Sequence, residues 1–128
     1  MIKVIATPPL QWDEISKQFG LVWRGNFAIT YAGEIYSPAG KVRPDVYVHE
    51  LVHVEQQRGQ DMTELIRRYM TEPAFVREVE TPAFKAQAAF IDATMSPNEA
   101  WCRKYQLAKV MNRMYKGAFT METASGIM

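Results

Sequence analysis

From Asp45 to near Lys116 the apolar residues keep a helical period, and only a few residues interrupt it. Pro73 and Pro82 each lack the amide hydrogen that their turn would use. Ser96-Pro97-Asn98-Glu99 is a capping box with proline at the first helical position, and Asp61 with Glu64 three residues on resembles one. These signals predict helices over 45 to 58, 61 to 71, 74 to 93 with a break or kink at Pro82, and 97 to 116. Upstream the period changes. Ile2 to Ala6 is a β-branched run suited to a short strand, and Thr7 as N-cap with Pro8 at the first helical position predicts a helix closed by Gly20. Phe27, Ile29 and Tyr31 alternate with smaller or polar neighbours, Gly33 punctuates, and Ile35-Tyr36 resumes, which predicts a β-hairpin. Pro38, Gly40 and Pro44 mark a loop, and Thr120 to Met128 reads as loop or loosely docked tail. The fold class expected is α+β: a small N-terminal antiparallel sheet, the hairpin, packed on a mainly helical part, as a single domain over residues 1 to 128.

Composition narrows the class of molecule. With 48% hydrophobic and 23% charged residues in 128, the chain can bury a core, which excludes intrinsic disorder. Fifteen Lys and Arg oppose 14 Asp and Glu, so no global field draws the chain to nucleic acid. The single cysteine excludes an internal disulfide and a four-cysteine zinc site, and Cys102 reads, like the eight methionines, as core filler. The apolar patch at the N-terminus stops at Pro8-Pro9, too short for a signal peptide, and no apolar run approaches the roughly 18 residues that span a bilayer. The expectation is a cytoplasmic protein with no membrane partner.

Residues 49 to 53 read His49-Glu50-Leu51-Val52-His53, inside the first of the long helices. A spacing of four at 3.6 residues per turn puts both imidazoles on one face, roughly 6 Å apart along the axis, where they can share a metal ion. The chain has 2 histidines, and both are here. Glu50 projects toward the same side and can reach a water there, which suits a general base. A catalytic zinc takes three protein ligands and keeps a fourth position open. With no further histidine and no nearby cysteine, the third ligand must be a carboxylate. Gln56 and Gly59 stand where a metzincin carries glycine and histidine, which excludes that pattern. Glu55 lies on the wrong helix face, Asp61 and Glu64 look like caps, and Glu72 at a helix boundary stays open. Glu78 and Glu80 fall in a helix that can return antiparallel across the first, with small Ala83 permitting close approach.

The pairing of this HExxH run with Glu80-Thr81-Pro82-Ala83-Phe84 resembles gluzincin-type metallopeptidases, in particular small ImmA/IrrE-like and phage-encoded zinc peptidases, over roughly residues 27 to 93. The resemblance implies a minimal zincin-like fold, Zn2+ held by His49, His53 and Glu80, and hydrolysis of a peptide or protein substrate with Glu50 activating water. Pro82 inside the second motif keeps Glu78 as the rival third ligand. The resemblance also implies that the strand Glu34-Ile35-Tyr36 offers an edge to an extended substrate, making Ile35 and Tyr36 candidate substrate-binding residues. Tyr36, Tyr47, Tyr105 and Arg77 are the candidates to stabilise an oxyanion. The alternative is a catalytically silent zinc-binding interaction module on the same scaffold. In the last long helix, Arg103, Lys104, Lys109, Arg113 and Lys116 meet no acid between Glu99 and Glu122, while Trp101, Tyr105, Ala108, Met111 and Tyr115 form the stripe of a packed helix. A basic solvated face is its ordinary role, and binding of nucleic acid or another polyanion the sharper one.

Overall fold

Ala32 and Gly33 both take positive φ, 52° and 78°, the backbone of a two-residue hairpin turn whose twist matches its strands. In this computed structural model, which describes residues 2 to 115 and 117 to 128, the turn joins β2 (Ile29–Tyr31) to β3 (Glu34–Tyr36). The remaining elements are β1 (Val4–Ile5), α1 (Trp12–Phe19), α2 (Pro44–Gln57), α3 (Met62–Thr71), α4 (Pro73–Thr94), α5 (Pro97–Met114) and α6 (Met121–Ile127). The described residues are thus α+β, a three-stranded sheet with a mainly helical remainder. Among them, no helix is long and apolar enough to cross a membrane.

The sheet is mixed rather than antiparallel. β1 pairs parallel with β3, Val4 opposite Ile35, while β2 pairs antiparallel with it, Thr30 opposite Ile35. The crossover through α1 is what permits the parallel pairing. β3 is therefore the central strand, in the order β1-β3-β2, and both of its edges are taken.

Four further expectations from the sequence are corrected. The first helix begins at Trp12, after Gln11 in the left-handed region, because Thr7 and Pro8 each precede a proline and so favour extended backbone. Gly20 closes it as expected, with φ 64° and its amide donating to the Ser16 carbonyl. The tail forms α6, opened by the Thr120 hydroxyl accepting from the Thr123 amide at 3.1 Å and anchored by fully buried Ala124. α4 runs through Pro82 unbroken. Pro82 and Glu78 are both exposed, so water can serve the carbonyl that the proline leaves without its amide. Finally, Trp101, Tyr105 and Cys102 lie on the exposed face of α5 and not in the core.

Ser96 makes the reciprocal capping box with Glu99. Asp61 caps α3 alone, because the Glu64 carboxylate turns to Arg67 at 2.6 Å. The main core lies between α4, α5 and α6, with Val76, Phe84, Ile91, Leu107, Met111 and Phe119 buried together. This packing fixes α4, and α2 lies antiparallel along it: His53 meets Glu80 near one end of the contact and Asp45 meets Gln87 near the other.

Replacing Pro82 by alanine restores a helix amide at an exposed position. Pro82→Ala is expected to stabilise the chain by about 1 to 2 kcal/mol, the gain in propensity less the lost restraint on the unfolded chain. Urea unfolding would measure it, and no gain would mean that the helix is interrupted there in solution.

Candidate metal centre

α2 places His49, Glu50 and His53 on its buried side, and α4 brings Glu80 against them, 3% exposed. His49 Nε2 lies 3.0 Å from Glu80 Oε1, His53 Nε2 lies 3.1 Å from the same oxygen, and the two Nε2 atoms are 3.1 Å apart. Three potential ligand atoms therefore form a nearly equilateral triangle. Glu78, the rival, is exposed and stands outside this cluster. Glu72 pairs instead with Arg68 at 3.4 Å.

Which nitrogens carry protons follows from the second layer of contacts. Asp45, 1% exposed, accepts from Arg43 Nε at 3.0 Å and Arg103 Nε at 2.9 Å. Burial works against the Asp45 charge, but hydrogen bonds from Gln87, Arg43 and Arg103 together hold its carboxyl below the ordinary range. A carboxylate only accepts, so the Gln87 amide nitrogen must face it, at 2.8 Å. Gln87 Oε1 is then left for His49 Nδ1 at 3.0 Å, which makes Nδ1 the donor and Nε2 a bare lone pair. Gln56 repeats the logic. Its nitrogen donates to the Val79 carbonyl at 2.9 Å, so its oxygen accepts from His53 Nδ1 at 2.7 Å. Neutral His53 likewise turns a lone pair inward.

Glu80 divides its oxygens. Oε2 accepts from the Tyr69 hydroxyl at 2.5 Å and Oε1 faces both imidazoles. Burial, then the Glu80 charge, raise the Tyr69 pKa well above the ordinary phenol value, so the hydroxyl stays a donor. Two imidazole nitrogens and a carboxylate oxygen thus converge, and either a proton on His53 or a shared metal ion would offset the charge of Glu80. Such a set calls for a cation. Burial works against a charge on His53, yet the Glu80 carboxylate outweighs it and pushes the imidazole up to about 10. Glu80 itself is held below the usual carboxylate range by the two histidines, in spite of burial. The residues fit a tetrahedral ion: ligands about 2.0 Å from zinc lie about 3.3 Å apart, within a few tenths of an ångström of the spacing here. Each imidazole has the outer hydrogen bond that metal-ligating histidines carry.

Glu50 stands beside the triad. Its Oε1 accepts from the Thr30 hydroxyl at 3.0 Å, and its Oε2 lies 3.6 Å from His49 Nε2. All four groups line a cavity of about 430 Å³ whose other walls include Phe19, Phe27, Ile29, Leu65, Met70 and Phe75. β2, an edge strand, contributes Ile29, Thr30 and Tyr31 to that wall.

The substrate-edge expectation is overturned. Ile35 is fully buried, the Tyr36 hydroxyl donates to Glu34 at 3.0 Å, and their strand is paired on both sides. None of the four oxyanion candidates reaches the cavity. Tyr36 is on β3, Tyr47 bonds the backbone of Ile2, Arg77 donates to the Gly117 and Ala118 carbonyls, and Tyr105 is on α5. The sequence reading passed over Thr30, Asp45, Tyr69 and Gln87, and noted Gln56 only as a non-ligand. Gln87 alone left a signal, seven residues beyond Glu80 and hence on the same face of α4.

Comparison of the chain with protein-family models, with curated proteins and with solved structures yields no match, and the chemistry of the site is read from its own residues.

Gln87→Leu removes the acceptor that fixes the His49 ring, and affinity for a divalent metal ion in a chelator competition is expected to fall about 10- to 100-fold. Asp45→Asn replaces a carboxylate whose pKa is lowered by folding. The stability deficit of this variant is therefore full above the unfolded value of about 4 and shrinks as pH falls through the folded value. Urea midpoints at pH 6 and about pH 3 would show it, and a deficit that persists in acid would place the effect elsewhere.

Proposed function

We propose that this chain is a zinc-dependent metallopeptidase, with a minimal zincin-like fold, that hydrolyses peptide bonds using His49, His53 and Glu80 as ligands and Glu50 as general base. The reading is supported above all by the inward lone pairs of His49, His53 and Glu80, whose direction is set by Gln87, Gln56 and Tyr69. A site for a buried proton alone would not need both imidazoles oriented in this way.

When bound, zinc supplies Lewis-acid polarisation of a carbonyl and lowers the pKa of a water to about 7. The rest falls to the chain. Thr30 holds Glu50 Oε1 and leaves Oε2 toward the triad, positioned to take a proton from water. The same oxygen returns that proton to the departing amine nitrogen, which balances the hydrolysis. Tyr69 occupies Glu80 Oε2, so Oε1 is the oxygen that would hold a bound ion. The apolar cavity walls limit bulk water and strengthen the charges inside.

Elemental analysis of the purified chain is expected to give about one zinc per molecule. Glu50→Gln should retain that zinc while lowering peptide cleavage by at least about 10³-fold, because only the base is lost. A variant that cleaves as fast as the parent would remove Glu50 from the chemistry, and a metal-free parent would remove the triad.

A further inference from the structure

α5 carries a second arrangement that the proposed peptidase does not use. Trp101, Tyr105, Lys109 and Arg113 follow one another at intervals of four along its exposed side. The Trp101 and Tyr105 rings are stacked, 5.5 Å between centroids and 2° from parallel, and they remain 66% and 49% exposed. Lys109 Nζ lies 5.5 Å over the Tyr105 ring. The stack and the lysine contact offset only part of the cost of leaving two large rings this exposed.

An open groove begins where the aromatic pair ends. Its walls include Tyr105, Lys109 and Arg113 from α5, Arg77 from α4 and Met121 from α6. The charge along it is one-sided. Arg103 and Lys104 are satisfied by Asp45 and Asp92, whereas among the described residues Lys109 and Arg113 make no ion pair. The nearest acids in sequence are Glu99, engaged in the Ser96 capping box, and Glu122, exposed in the first turn of α6.

We infer that this face binds single-stranded nucleic acid, with a base on the Trp101–Tyr105 stack and backbone phosphates along Arg77, Lys109 and Arg113. Planar exposed rings followed by unpaired cations match the alternation of bases and phosphates in a flexible strand. An acidic peptide would satisfy the cations but leave the parallel rings without a planar partner. A duplex would hide its base faces.

Fluorescence anisotropy with the full chain and fluorescein-labelled oligothymidine tests this. Binding is expected at about 50 mM salt, weakening with a log–log slope of about −2 for three phosphate contacts. Trp101→Ala and Tyr105→Ala should each weaken it about tenfold, and Lys109→Glu should both weaken it and flatten the slope. All three positions are exposed, and an unchanged thermal midpoint confirms that the fold is intact. No binding at low salt overturns the inference, as does binding that both aromatic variants leave untouched. Equal competition by polyglutamate or by duplex of the same length would also overturn it, assigning the face to charge alone.

Discussion

Two histidines, each donating from Nδ1 to a glutamine that has no freedom to turn, aim both Nε2 atoms at one carboxylate oxygen. The rest of the centre depends on this. An amide oxygen and nitrogen are nearly isosteric, so Gln87 would choose its orientation freely were Asp45 not fixed as an acceptor by Arg43 and Arg103. The chain of constraint thus runs from a surface-reaching arginine through a buried carboxylate and an amide to an imidazole. From Asp45 inward, each link is a hydrogen bond between groups too buried for water to replace cheaply.

The same contacts are the packing of α2 on α4. Where most antiparallel helix pairs meet through apolar ridges, this one also meets through Asp45, His49, His53, Glu80 and Gln87, and Phe84 packs edge-on against the His49 ring at 4.5 Å. A buried polar seam of this kind is costly unless each member is satisfied. The Glu80 carboxylate, which raises the His53 pKa, is the member whose charge a proton or a bound ion would offset. Site and fold are consequently coupled: an ion that completes the centre also completes the interface between two helices.

The sheet takes a supporting part. β3 is sealed on both edges, and β2 instead faces the cavity, holding Glu50 through Thr30. Gln57, from the end of α2, donates to the Thr30 carbonyl at 2.9 Å and accepts from the Gly33 amide at 3.1 Å. The strand beside the centre is thereby tied at its outer edge to the helix that carries the histidines.

Local chemistry made much of this legible beforehand. A four-residue spacing places two side chains on one helix face whatever surrounds them, proline and capping residues act within a turn, and a glycine between two alternating apolar runs marks a hairpin. The helices α2 to α5 and the juxtaposition of His49 and His53 accordingly follow from the sequence by itself. Tertiary structure decided what depends on partners far along the chain. Glu80 and Glu78 have the same chemistry and differ only in which side of α4 meets α2. β3 became central because the distant β1 claimed its free edge. Asp45, Gln87 and Tyr69 are ordinary polar residues until the fold surrounds them, since an isolated side chain carries no record of which acceptor will be left for it once water is gone.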